Sequence, residues 1–175
     1  MAAKWTDFVS GAVLEAAQLN SVLDNFSDIA IFNETQANTT QGGTFTSGSY
    51  VKRVLNTTVV NNITGCSIAS SVITLPAGTY FVSAIAPALQ VSNHKIRLQN
   101  TTDSTTIAIG TTNTTAAADV VQTNATLVTY FTLAASKNIE LQHRSSATQA
   151  TYGLGTANAF GDSEVYSSIT IERVA

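Results

Sequence analysis

With 175 residues and 44% hydrophobic content, the chain is long enough for one domain plus a short appendage, whose core needs neither metal nor disulfide. Charged residues make up only 11%, against roughly 25% in ordinary soluble domains. The net charge of -3 and eight dispersed Lys and Arg, of which only Lys52-Arg53 and Lys95/Arg97 approach clusters, exclude the dense basic patch that nucleic acid requires.

Thr, Ser and Asn supply the polarity instead. That suits half-exposed β-strands and surfaces that meet other proteins without desolvating charge. The single cysteine, Cys66, forbids an intrachain disulfide and is expected as a small buried hydrophobe. No apolar h-region and no run of about 18 apolar residues occurs, so neither a secretory signal nor membrane insertion is expected. The Asn-x-Ser/Thr triplets at Asn56, Asn62 and Asn100 are expected by chance in a chain this rich in Asn and Thr.

The pattern changes near Gly42-Gly43. Ahead of it, Glu15-Ala16-Ala17-Gln18 favour helix, and Leu19, Val22, Leu23 and Phe26 recur at i, i+3, i+4 and i+7 as one apolar stripe. Residues 1–32 are therefore expected to form an N-terminal attachment arm with an amphipathic helix, too short to stand alone. Residues 33–48 are polar, lack periodicity and are expected to be a linker.

From 49 to 175 short strands follow one another. The first is expected at 50–55, a pair within 68–75, a turn at Pro76-Ala77-Gly78 and a long strand at 79–89 whose far end Pro87 weakens. At 94–101, Ile96 and Leu98 share one face, Lys95 and Arg97 the other. Asp103-Ser104 turns into 105–109, and 111–118 reads as a low-complexity loop. In 126–133, Leu127, Phe131 and Leu133 oppose Val128 and Tyr130, so this strand should be covered on both faces. Strands at 137–144 and 165–174 flank a Gly/Ala-rich loop, and the last places Val165, Ile169 and Ile171 together. About eight strands with turn signals between them indicate a mainly β fold, a jelly-roll or related sandwich.

No catalytic constellation emerges, and an enzyme is not expected. His94 and His143, the two histidines, each share a strand face with apolar residues, which marks them as core or subunit-interface groups. The acidic residues stand singly, Gly153-Leu154-Gly155 lacks a dinucleotide context, and no His/Cys spacing suits a metal. No cofactor is implied.

The segment Trp5-x-x-Phe8-x-x-Gly11-x-Val13-Leu14-x-Ala16-Ala17-x-Leu19-Asn20, followed by Asp24-Asn25, resembles a leader of virion structural proteins in tailed bacteriophages. The later part resembles the trimeric jelly roll of the tumour necrosis factor or complement-head type. The pieces that carry this are Leu75-Pro76-Ala77-Gly78-Thr79-Tyr80-Phe81-Val82, Ile96-Arg97-Leu98-Gln99-Asn100, Phe131-Thr132-Leu133, Ile139-Glu140-Leu141 and Tyr166-Ser167-Ser168-Ile169-Thr170-Ile171.

Together the resemblances imply a homotrimer on a phage particle. It would be a capsid decoration or cement protein on the major capsid protein, with Trp5, Phe8, Val13 and Leu14 as attachment residues. A short tail fibre or receptor-binding tip on a tail or baseplate protein is the alternative, and a head that binds host-surface glycan a third. Val128, Tyr130, His94 and His143 are the residues expected at the trimer interface.

Overall fold

The computed structural model describes residues 28–116 and 120–174. The expected arm residues Trp5, Phe8, Val13, Leu14, Leu19, Val22, Leu23 and Phe26 lie outside these described residues, as does the helix assigned to them. Within them the chain is a sandwich of two antiparallel sheets built from eleven strands.

One sheet has the order β3-β1-β11-β6-β9, with β1 at Ile29–Gln36, β3 at Thr57–Asn61, β6 at Gly78–Leu89, β9 at Gln122–Leu133 and β11 at Glu164–Arg173. The other has the order β4-β5-β10-β7-β8, with β4 at Ser67–Ala69, β5 at Val72–Leu75, β7 at Ser92–Asn100, β8 at Thr105–Thr115 and β10 at Lys137–Ser145. The short β2, Val51–Lys52, pairs with β10 beyond the end of β5. Alternation explains the layering. Tyr80, Val82 and Ala84 of β6, Leu127 of β9, and Ile169 and Ile171 of β11 meet Ile96 and Leu98 of β7 and Ile139 and Leu141 of β10 in one core. A smaller cluster, Phe45, Ala88 and Val91, caps one end.

The structure corrects several expectations. The β-domain begins earlier than residue 49, because β1 runs through Asn33–Gln36 and pairs with both β11 and β3. Its far half reads as polar because Glu34, buried at 1% exposure, is half of an ion pair. The rest of the expected linker includes Phe45, fully buried and bridged to Gln149. At 50–55 only β2 is strand, and the edge strand β3 falls where none was expected.

Pro87 does not weaken β6, which stays paired with β9 as far as Leu89. The pairing of β6 with β11 ends at Ile85, so beyond it the strand has one sheet neighbour and tolerates a missing N–H donor. Residues 111–115 are strand, the far half of β8. Side chains tie this half to β9: Thr111 Oγ1 accepts from the Thr126 N–H, and Asn113 Nδ2 donates to the Asn124 carbonyl. A bulge between β1 and β11 reverses the faces at the start of β11, so Tyr166 points inward and Val165 is 54% exposed.

Candidate functional site

Two features stand out from the scaffold, one on each sheet. On the five-stranded sheet, the positions that alternate with the core build an outer face almost without charge. Cross-strand pairs set Phe81 opposite Tyr130, Ser83 opposite Val128 and Ile85 opposite Thr126. On the other side of β6, Ser83 faces Thr170 and Ile85 faces Ser168, while β1 adds Ile31 opposite Thr170. Glu172, opposite Phe81, is the charged member of these rows. A shallow cavity of about 370 Å³ lies among Ser83, Ile85, Thr126, Val128, Ser168 and Thr170.

Val128 is 67% exposed, Tyr130 60% and Phe81 39%. The expectation that β9 is covered on both faces is therefore not met within a single chain. On that strand the protomer itself buries Ala125, Leu127 and Leu133. Contiguous exposed apolar groups of this kind mark interaction surfaces.

The four residues expected at a trimer interface separate into two pairs. Val128 and Tyr130 lie on the outer face just described. His94 and His143 lie inside the protomer, at 2% and 0% exposure, which is the core alternative that their alternation left open. His94 Nδ1 is 2.9 Å from His143 Nε2, and His94 Nε2 is 2.8 Å from Thr123 Oγ1. The Phe45 ring lies against His143, with centroids 4.6 Å apart.

Burial, with the Arg53 charge adding to it, lowers the pKa of His94 to about 4. Burial, then Arg53 and then His94, lowers that of His143 to about 2. Both rings are neutral at physiological pH, and their hydrogen-bond partners are each other and the Thr123 hydroxyl, with no carboxylate among them.

Sequence reasoning missed the buried Arg53. Its Nη2 donates to Glu34 Oε2 at 2.6 Å and to the Leu154 carbonyl at 2.9 Å, and its Nε donates to Ser167 Oγ at 2.6 Å. Desolvation lowers its pKa, and the Glu34 carboxylate opposes that shift. The alternation of Val51, Arg53 and Leu55 was the available signal, because it places Arg53 on the apolar side. Cys66 is half-buried, and desolvation raises its thiol pKa to about 11, leaving it a protonated, unreactive packing group.

The second feature lies on the outer face of the six-stranded sheet. A pocket of about 550 Å³ opens between residues 47–50 and the ends of β7 and β10, with Lys95 and Arg144 in its wall.

No protein-family model matches the chain, and no curated protein does. Solved structures do. The globular domain of zebrafish complement 1qA protein shares 13% identity at a TM-score of 0.53, over 83% of this chain and 97% of that one. The Eiger TNF of S. frugiperda shares 12% at 0.57, over 84% and 92%. Murine APRIL shares 8% at 0.51, over 82% and 98%.

At these identities the likeness is one of fold. The chain is a jelly-roll sandwich of the complement-head and tumour necrosis factor type, as the resemblance of its later part implied. The comparisons carry nothing about a virion.

Proposed function

We propose that this chain is a non-enzymatic structural protein whose jelly-roll head forms a homotrimer through the outer face of its five-stranded sheet. The cross-strand pairs Phe81/Tyr130, Ser83/Val128 and Ile85/Thr126, none of them charged, carry the reading. They expose large apolar groups that a lone protomer leaves in water, and association would remove that surface at little cost in charge desolvation. The fold likeness to complement-head and tumour necrosis factor domains supports the same mode. The burial of both histidines, with no carboxylate beside either ring to orient it as a base, supports a role without catalysis.

The leader at Trp5, Phe8, Val13 and Leu14 supports attachment to a phage particle, with the head displayed as a capsid decoration protein on the major capsid protein. The lack of a long shaft after the leader favours decoration over a fibre. The second reading, a short tail fibre or receptor-binding tip, is supported by the open pocket on the opposite sheet.

Light scattering on the full chain tests the assembly. A mass three times that of the 18.3 kDa chain is expected, and a clean monomer at micromolar concentration overturns it. Electron microscopy of particles carrying the protein tests the location. Density at three-fold capsid positions is expected, whereas density at the tail would establish the second reading.

A further inference from the structure

Three described basic residues on one sheet, Lys95, Arg97 and Arg144, have no carboxylate partner, and they sit together. Lys52, Arg53 and Lys137 are paired with Glu140, Glu34 and Asp103. Lys95, Arg97 and Arg144 have no such pair, and they share the outer face of β7 and β10. Lys95 and Arg144 are directly opposite each other in the ladder. Like charges directly opposite across strands are destabilising, and this chain has few charges to place. The nearby carboxylate, Glu140, is already held by Lys52 at 3.7 Å and by Gln142 Nε2 at 2.7 Å.

The pocket beside these cations is built for more than a small ion. Its volume of about 550 Å³ falls within the roughly 300–1,000 Å³ of small-molecule sites. Tyr50 stands at its rim with the Arg97 guanidinium 4.0 Å over its ring and Arg144 at 5.9 Å. Arg97 is further fixed by donating from Nε to Gln142 Oε1 at 2.8 Å. Asn93, Thr112 and Ser145 add an amide and two hydroxyls to the lining. Ser145 is 3% exposed, and its buried Oγ has no hydrogen-bond partner. A buried hydroxyl is rarely left unpaired.

We propose that this pocket binds a carboxylate-bearing saccharide. Lys95 and Arg144 would take the carboxylate, and Tyr50, Asn93, Thr112 and Ser145 the ring and its hydroxyls. The repulsion between Lys95 and Arg144 is relieved when the anion lies between them. The site rests on the preceding reading only in remaining on the outside of the assembly, since it occupies the sheet opposite the apolar face.

The test is ligand-observed and protein-observed NMR on the full chain. The probes are N-acetylneuraminic acid and glucuronic acid, their methyl esters, and inorganic sulfate. The acids are expected to shift resonances of Tyr50, Asn93 and Ser145, and the esters to bind about tenfold more weakly. Lys95→Gln and Arg144→Gln should each weaken the acid, and the double variant should abolish binding, while Lys137→Gln leaves it unchanged. Lys95→Gln should also melt no lower than the parent, because it removes a repulsion.

The proposal is overturned if the acids do not bind, if an ester binds as well as its acid, or if the double variant binds like the parent. Sulfate binding as tightly as the acids would reduce the site to one for simple anions and equally overturn it. Should the double variant fail to fold, the single variants and the acid–ester comparison on the parent still decide. A monomer that binds the acids would defeat the assembly reading alone, and a trimer that does not would defeat this one alone.

Discussion

His94 Nδ1 lies 2.9 Å from His143 Nε2 in the interior of the sandwich, a hydrogen bond between the two rings. Thr123 Oγ1 extends the chain, 2.8 Å from His94 Nε2 and 3.3 Å from the Thr114 carbonyl. His143 Nδ1 is buried beside Phe45 without a hydrogen-bond partner.

This pair makes the fold acid-sensitive from within. Both folded pKa values lie far below the ordinary 6.5, at about 4 and about 2. Below pH 6.5 the unfolded chain binds protons that the folded chain refuses, so stability present above 6.5 is lost as pH falls toward 4. Each histidine contributes a slope of up to about 1.4 kcal/mol per pH unit in that window. Thermal melts of the parent from pH 8 to 5 should show the loss. A variant carrying His94→Gln and His143→Gln should start about 1–3 kcal/mol less stable at pH 8 and show a flatter profile. Parallel profiles in the two proteins would remove the histidines as the cause.

Arg53 and Glu34 form the other buried polar element, at 0% and 1% side-chain exposure. Removing one partner leaves an unpaired charge in the core, which typically costs about 3–5 kcal/mol. Arg53→Met should therefore be strongly destabilising in chemical denaturation. Adding Glu34→Leu should restore a large part of the loss, because the orphaned carboxylate is gone. Additive losses in the double variant would show that packing, not charge pairing, sets the cost.

Period-two alternation made most of the sandwich legible. The strands β9 and β10 and the central parts of β6 and β7 each bury one parity of residues, and the inward positions of Ile96, Leu98, Leu127, Ile139 and Leu141 follow from it. Three features escaped because their cause is not local. In β3, Val59 and Val60 sit among Thr and Asn at an exposed edge, so no buried face imposes a pattern. The far half of β8 is Thr and Asn throughout, and pairing to β7 together with side-chain bonds to β9 holds it. The reversed face of Val165 arises from a bulge, which alternation cannot register. The cationic pocket needed the register itself, since 49 positions separate Lys95 from Arg144 in sequence but none in the ladder.

Gly155 holds the loop that closes the histidine end of the sandwich. Its φ of +140° lies where side chains are strained, and a Cβ there would come within 2.2 Å of the Tyr166 ring. Tyr166 is itself fixed, donating its hydroxyl to the Thr40 carbonyl at 2.6 Å. Gly155→Ala should lower stability by about 2 kcal/mol or more through strain and overpacking. Combining it with Tyr166→Leu should cost less than the two single changes added, because the clash is removed. Strict additivity in denaturant melts would contradict the proposed contact.

Charge placement on the two outer faces should separate assembly from folding. Val128 and Tyr130 are exposed on the five-stranded sheet at 67% and 60%, and Ile109 is exposed on the six-stranded sheet at 65%. Ile109 lies opposite Arg97 in the β7–β8 ladder and so belongs to the face that the assembly leaves open. All three side chains are solvated in the lone protomer, so a lysine at any of them should change protomer stability by no more than about 0.5 kcal/mol. In the trimer, a lysine at position 128 or 130 would be buried without a partner, a cost of several kcal/mol at each of the related interfaces. Val128→Lys and Tyr130→Lys should therefore shift the full chain to a monomer that keeps its β-sheet circular dichroism. Ile109→Lys should remain assembled. Light scattering at matched micromolar concentrations reads the difference, and dissociation by Ile109→Lys alone would place the interface on the opposite sheet.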